Sequence, residues 1–168
     1  MSEQQARAGR SGLSLVPQSE TTETAPSVSF CSHCAARSEP TGPIASRVCE
    51  TCGLGLLLQC GEDAAPAPGD PFLVLDSYLS VCALSDAAES LLGARETELV
   101  NRQVTEVLVP ADVEAQGREN LAVAVTWAAR GDAGTYRVPV RPANTFGVRL
   151  IARIASCGPP RAALVVLE

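Results

Sequence analysis

The chain has 168 residues, of which 46% are hydrophobic, and its net charge is −6. It is long enough for one ordinary domain and a small module. It contains no lysine, and neither residues 1–70 (eight acidic residues, four arginines) nor residues 71–168 (eleven acidic residues, nine arginines) is basic, which argues against nucleic acid as a main partner. No stretch reaches the roughly 18–20 apolar residues of a membrane span, so we expect a soluble, cytoplasmic protein.

Composition divides the chain into four segments. Residues 1–28 are rich in Ser, Thr, Gln and Glu and cannot offset the entropy of ordering, which predicts a disordered tail. Residues 29–62 contain cysteine motifs and a Leu-rich run and are predicted to form a zinc-ribbon-like module. Residues 63–71 carry three prolines and a glycine, which predicts a semi-stiff, extended linker. A second folded domain is predicted for residues 72–168.

Two cysteine motifs are the most informative part of the chain: Cys31-Ser-His-Cys34 and Cys49-Glu-Thr-Cys52. Each Cys-x2-Cys turn places two thiolates on one side of a tight loop, and two turns supply the soft ligands of a tetrahedral site. Gly53 suits the second turn because it lacks a Cβ, whereas Ala35 stands at the equivalent position of the first. The spacing predicts a structural zinc ion bound by Cys31, Cys34, Cys49 and Cys52.

Three alternatives to this ligand set remain open. The four cysteines would form two disulfides in an oxidising compartment, but the N-terminal residues contain no apolar signal segment. His33 lies inside the first motif and Cys60 lies eight residues after the second, so either residue is a possible substitute ligand. His33 is the only histidine, and a histidine-rich catalytic zinc site with an open water position is therefore excluded.

The domain from residue 72 onwards begins with a predicted hairpin, residues 72–76 and 78–84, rich in Val, Leu and aromatic side chains. A short helix follows, with Asp86 as its N-cap, Glu89 completing a capping box and Gly93 ending it. Two further helical turns are predicted over residues 95–99 and 104–109.

The second half of the domain is predicted to hold one long helix and three strands. Apolar residues recur at helical spacing before Gly131, at Leu121, Ala124, Val125, Ala128 and Ala129. Strands are predicted at residues 135–141, 146–155 and 162–167; Pro139 places the first at a sheet edge, and the last is apolar on both faces and belongs in the middle. The resulting fold class is α+β, with a five-stranded antiparallel sheet and helices on one face.

This order of elements resembles a PAS domain over residues 72–168. The motif residues are the hairpin, the helix ending in Leu91-Leu92-Gly93, the segment Asn101-Arg102-Gln103-Val104 and the closing strand pair; Ser85-Asp86 replaces the family's usual asparagine before the helix. The resemblance implies a sensor or interaction module, with a ligand pocket between the helices and the concave side of the sheet, and an outer sheet face that transmits a signal or dimerises.

The resemblance also excludes two cofactors. Haem-binding relatives supply a histidine from the long helix, and this domain has none; Val104 occupies the place of the reactive cysteine of the flavin photosensors, so no cysteinyl-flavin adduct is expected. Any other ligand is unknown. Cys82 and Cys157 are interpreted as packed, apolar side chains. Trp127 and Tyr136 are interpreted as core, with a pocket mouth as the alternative.

Four arginines alternate along two predicted strands and share one sheet face: Arg137, Arg141, Arg149 and Arg153. They either form a solvated outer face or meet an anionic ligand or an acidic partner.

The sequence therefore predicts a non-catalytic, signal-sensing regulatory protein. In this reading the PAS-like domain binds a small molecule or a protein partner, including a second copy of the chain, and the zinc ribbon mediates interaction. The alternative is a transcription-related factor whose ribbon contacts DNA or the transcription machinery, which the acidic charge disfavours. No Ser-His-Asp set or phosphate-binding loop is present in the sequence, so catalysis is not expected.

Overall fold

The computed structural model describes residues 26–38, 47–111 and 117–168. The disordered tail expected for residues 1–28 lies outside these ranges except for residues 26–28, and of these Ser27 and Val28 belong to a strand. Within the described ranges, no helix has both the length and the apolar character needed to cross a bilayer.

The described elements are nine strands and four helices. The strands are β1 (Ser27–Cys31), β2 (Arg37–Ser38), β3 (Leu57–Gly61), β4 (Phe72–Leu75), β5 (Val81–Leu84), β6 (Leu108–Pro110), β7 (Tyr136–Pro142), β8 (Leu150–Gly158) and β9 (Ala162–Leu167). The helices are α1 (Asp86–Leu92), α2 (Glu96–Leu99), α3 (Val104–Val107) and α4 (Gly117–Ala129).

Five strands form the antiparallel sheet predicted for residues 72–168. Their spatial order is β5-β4-β9-β8-β7, and each neighbouring pair is antiparallel. The last strand in the sequence, β9, lies between β8 and β4 as its two apolar faces predict, and all six of its residues are buried. The helices pack on one face of this sheet, which confirms the PAS-like α+β fold class.

An aliphatic core, which we call the inner core, joins the sheet to the helices. Along β9 it contains Ala163, Val165 and Leu167, and along α4 it contains the predicted stripe of Leu121, Ala124, Val125, Ala128 and Ala129. The helix ends before Gly131, whose φ of 94° is unfavourable for side-chain-bearing residues. The helical periodicity therefore identified both the long helix and its buried face.

The N-cap of α1 is Ser85, so the prediction that Asp86 caps this helix was wrong. The Ser85 hydroxyl accepts hydrogen bonds from the backbone N–H of Ala88 and from that of Phe72 in β4. Glu89 forms no capping box with the N-cap; its carboxylate accepts from the N–H of Glu96 instead. The cap depends on a strand that lies 13 residues earlier in the chain, which local sequence rules do not take into account. Gly93 ends the helix in the left-handed conformation, as predicted.

Two further boundaries differ from the sequence prediction. Residues 108–110 form the short strand β6 against β7, where a continued helical turn was expected. Strand β8 begins at Leu150, because the chain turns at residues 143–147 and Gly147 has a φ of 79°. Phe146 is consequently not in a strand: its ring is 86% exposed and lies under the guanidinium of Arg141, 5.3 Å from the ring centroid.

The cysteine-containing region is joined to this sheet by hydrogen bonds. Strands β1 and β3 form an antiparallel hairpin, and β3 pairs with the end of β8 beyond the part that β7 occupies. The segment expected to be an extended linker contains turns, and Ala64, Ala65 and Pro66 within it are buried. The strands of the hairpin and of the PAS-like domain therefore belong to one nine-stranded sheet.

A second apolar cluster, the outer core, covers the face of the sheet opposite the helices. The sheet contributes alternate residues of β4 and β9, namely Phe72, Val74, Ala162, Leu164 and Val166. The cysteine-containing region contributes Phe30, Ala35, Leu58 and Cys60, and Phe30 meets Phe72 edge to face with 5.9 Å between the ring centroids. Both faces of β9 are thus buried, because one faces the helices and the other faces the hairpin.

Replacing Phe30 with alanine tests the outer core. Phe30 is fully buried, so we expect Phe30→Ala to lower the free energy of unfolding by about 3–5 kcal/mol, the usual cost of this truncation in a core. Leu54→Ala is the matched control, since Leu54 is 74% exposed and surface changes cost about 0.5 kcal/mol or less. Urea unfolding of both variants measures the difference, and equal stabilities would contradict the outer core.

Candidate metal centre

The structure brings together the four cysteines of the two Cys-x2-Cys motifs. Cys31 ends β1, Cys34 lies in the turn after it, and Cys49 and Cys52 lie in the turn before β3. All four sulfur atoms lie within 4.8 Å of one another. The Sγ–Sγ distance is 3.6 Å between Cys31 and Cys52 and 3.9 Å between Cys34 and Cys49. A tetrahedral ion with metal–sulfur bonds of about 2.3 Å requires sulfur separations of roughly 3.8 Å, so this cluster could hold a metal ion.

The two turns have the same backbone geometry. After the first motif, Ala35 has a φ of 58° and its N–H donates to the carbonyl of Cys31; after the second, Gly53 has a φ of 68° and its N–H donates to the carbonyl of Cys49. Glycine is the usual residue in this conformation, but Ala35 adopts it with its methyl group buried in the outer core. The sequence difference between the turns therefore does not change their shape.

Gly55 allows the two turns to approach each other. A Cβ at this position would lie 2.3 Å from Cys31 Sγ and 2.9 Å from both the Cβ and the backbone nitrogen of His33. The Gly55 carbonyl also accepts from the N–H of Cys49, and its own N–H donates to Cys52 Sγ at 3.5 Å. Gly55 is thus a site residue that the cysteine spacing did not reveal.

The environment of the sulfurs sets their protonation. Backbone N–H donors from Gly55 and Leu54 lower the pKa of Cys52 to about 6, so this thiol is ionised at neutral pH. Burial raises the pKa of Cys31 to about 12, against the opposing effect of N–H donors from Cys34 and His33. Metal binding at Cys31 therefore requires the loss of a proton that the unliganded thiol retains at pH 7.

The two alternative ligands lie outside the sulfur cluster. His33 Nε2 lies 3.2 Å from the carboxylate of Asp86, in the first turn of α1, and so links the cysteine turns to the PAS-like domain. Cys60 lies in the outer core, where burial raises its pKa to about 12. Cys157 is buried there too, as predicted, but the packed position expected for Cys82 was wrong, since Cys82 is exposed beside a bulge between β4 and β5.

The arginine-bearing face contains internal ion pairs. Arg153 and Arg137 both contact the carboxylate of Glu168, and Arg153 also donates to the backbone carbonyl of Asp63 at 2.9 Å. Hydrogen bonding with Arg153, supported by Arg137, lowers the pKa of Glu168. These contacts attach the segment after β3 to the sheet and largely bury the Arg153 side chain, which is 13% exposed, whereas the Arg137 side chain is 61% exposed, as a solvated outer face predicts.

Trp127 does not belong to the core, so the interpretation favoured from the sequence was wrong for this residue, whereas Tyr136 is partly buried and packs against the inner core. Their rings lie 5.6 Å apart, and Trp127 is 48% exposed. With Val123 and Pro139 they line a surface groove of about 260 Å³ between α4 and β7. This location agrees with the alternative interpretation, in which Trp127 and Tyr136 line the mouth of a pocket.

Comparison with known proteins finds PAS domains among the similar solved structures. No protein-family model and no curated protein sequence matches the chain. The PAS domain of nitrogen regulation protein NR(II) from Vibrio parahaemolyticus is similar, with 16% identity, a TM-score of 0.44, and coverage of 60% of this chain and 88% of that one. The PAS domain of an HTR-like protein from Haloarcula marismortui has 16% identity, a TM-score of 0.44, and coverage of 59% and 84%.

The photoactive yellow protein domain of the sensor histidine kinase Ppr from Rhodospirillum centenum is similar at 12% identity and a TM-score of 0.44, over 61% of this chain and 86% of that one. Because these similarities are low, the fold assignment rests on the strand order and register of this chain's own sheet. The chain combines a PAS-like α+β domain with a four-cysteine cluster that could bind a metal.

Replacing Gly55 tests the close approach at the cluster. We expect Gly55→Ala to weaken metal binding by about 10–100-fold, the range seen when the supporting shell of a metal site is disturbed, because the new methyl group overlaps Cys31 Sγ. Gly53→Ala is the matched control: its Cβ meets nothing within 4 Å, so it adds only the strain of a left-handed alanine, which Ala35 already adopts in the first turn, and its loss should be smaller. Competition with a chromogenic chelator measures both affinities, and equal losses would contradict the steric role of Gly55.

The pKa shifts predict how metal binding depends on pH. We expect the apparent affinity to fall as the pH falls, because protons compete with the metal for the thiolates. Above pH about 6 Cys52 is already ionised and contributes little to this dependence; below it Cys52 also takes up a proton, and the fall becomes steeper. Titration with cobalt(II) between pH 8 and 5.5, followed by its thiolate absorption bands, measures the slope, and a constant slope across pH 6 would contradict the assignment.

Proposed function

We propose that this protein is a non-catalytic, signal-sensing regulatory protein in which a zinc-bound module is held against the outer face of a PAS-like sensor domain. The observation that carries the proposal is the outer core, since the face that the PAS resemblance associates with signal output or dimerisation is covered by the cysteine-containing hairpin. A change in the sheet would therefore directly alter the contacts that the cysteine-containing module makes with it.

Zinc is the metal that the donor set favours. Four thiolates are the ligands of structural zinc sites, and four cysteines whose sulfur atoms lie within 4.8 Å of one another would leave no coordination position for a substrate or an activated water. The only imidazole in the chain faces Asp86, so a water-activating site of the histidine type is not supported either. These features support a structural role for the metal and a protein without catalytic activity.

A single strand connects the metal to the sheet. Phe30, which packs on Phe72, is followed directly by the ligand Cys31, and both side chains are completely buried. The first cysteine turn continues from this strand to His33, which contacts Asp86. Metal binding would thus fix the end of β1. It would thereby also fix the two contacts with the PAS-like domain, Phe30 with Phe72 and His33 with Asp86.

The groove between α4 and β7 is the site where this proposal expects a ligand or a protein partner to contact the sensor domain. Trp127 presents an exposed aromatic surface there, and β7 runs directly alongside β8, the strand to which the hairpin attaches. Occupation of the groove would therefore alter the sheet next to the module.

Removal of zinc tests the coupling. In hydrogen–deuterium exchange of the full chain, we expect chelation to raise the exchange rates of amides in β4 and in residues 157–158 of β8 by about tenfold or more, which corresponds to about 1.4 kcal/mol of local opening free energy. Cys52→Ser should reproduce the change without chelator. Cys82→Ser, which alters an exposed thiol outside the cluster, should leave the rates unchanged.

Native mass spectrometry of the untagged chain, purified without chelator, tests the sensor role. The proposal expects one zinc per chain together with either a retained small molecule or a dimer. A zinc-bound monomer without a retained molecule, whose sheet exchanges equally fast with and without zinc, would rule out the proposed function.

A further inference from the structure

Two buried cysteines that play no part in the metal cluster face each other across the junction between the hairpin and the PAS-like sheet. Cys60 of β3 and Cys157 of β8 are directly opposite partners in an antiparallel pair, so their side chains lie on the same face. Both are free thiols, 5% and 4% exposed, and both belong to the outer core.

The geometry of this pair is close to that of a disulfide. Directly opposite residues of antiparallel strands have Cα atoms roughly 4.5–5.5 Å apart, inside the range of about 4.4–6.8 Å found for disulfides. Their Cβ atoms are typically about 4.5–5.5 Å apart, against about 3.5–4.5 Å in a disulfide, so an approach of about 1 Å closes the bond. The junction contains only two residue pairs, the other being Gln59 with Gly158.

We propose that Cys60 and Cys157 form an oxidisable pair that peroxides convert to a disulfide, covalently joining the metal-site module to the PAS-like sheet. The Cys60 thiolate attacks one oxygen of hydrogen peroxide, the O–O bond breaks, and a sulfenic acid and one water are formed. The Cys157 sulfur then attacks the Cys60 sulfur and displaces the second water. Two thiols lose two electrons and two protons, and one peroxide is reduced to two waters.

Accessibility controls the rate of this reaction. Burial raises the pKa of each thiol to about 12, which makes the closed pair slow to react, although the positive charge of Arg153 favours the Cys60 thiolate. Opening the short β3–β8 junction exposes both thiols, and loss of the metal should favour that opening. The disulfide would then retain the hairpin on the sheet after the metal has gone. Formation of the disulfide does not depend on the proposed function; only its acceleration by metal loss rests on the proposed coupling of the metal to the sheet.

Peptide mapping of the full chain tests the pair. Zinc-loaded protein carrying Cys82→Ser, which removes the exposed thiol, is treated with hydrogen peroxide; the remaining thiols are then alkylated, and the digest is sequenced by mass spectrometry. We expect a peptide linked through Cys60 and Cys157 that is two hydrogens lighter than the reduced pair. It should form several-fold faster after chelation, and should be absent from Cys60→Ala and Cys157→Ala in the same background.

Amide exchange adds a readout of the structural consequence. After oxidation, we expect chelation no longer to accelerate exchange in residues 157–158, whereas reduction with dithiothreitol restores the acceleration. The inference is overturned if peroxide links only the four cluster cysteines to one another, or if Cys60 and Cys157 are recovered as thiols after both chelation and oxidation. It is equally overturned if the linked protein responds to chelation as the reduced protein does.

Discussion

Burial of both faces of β9 is the constraint on which the rest of the structure depends. One face, with Val165 at its centre, packs on the helices, and the other, with Leu164 and Val166, packs under the cysteine-containing hairpin. A sheet with helices on one side would leave the second face as an exposed apolar patch, which soluble proteins avoid unless a partner covers it. Here the chain itself supplies the cover, and the position of the metal site follows from that.

The hairpin can serve as a cover because its two ends are held by different interactions. Near β8 it is held by two backbone pairs and by the bond from Arg153 to the carbonyl of Asp63, and near α1 by the contact of His33 with Asp86. Between them Phe30 fills the outer core. The cysteine cluster stands directly after Phe30, so metal affinity and core packing act on the same strand and should not be independent.

Local patterns predicted the elements whose stability is largely local. The helical spacing of apolar residues identified α4 and its buried face, and Gly93 ended α1 as expected. Predictions failed where contacts with residues distant in the sequence overrode the local pattern. Ser85 rather than Asp86 caps α1 because the same hydroxyl also satisfies the N–H of Phe72, and Trp127 remains at the surface because aliphatic side chains already fill the inner core.

The sequence by itself determined that four thiols at Cys-x2-Cys spacing would form a metal-type cluster and that residues 72–168 would adopt a PAS-like α+β fold, since turns and periodicity are encoded over a few residues. Only the tertiary structure determined where the cysteine cluster lies against the PAS-like domain. Leu54 and Leu56 are exposed whereas Leu58 is buried in the outer core, and Cys60 is paired with Cys157. These outcomes arise from contacts with other segments, about 100 residues away in the case of Cys157, which no local pattern specifies.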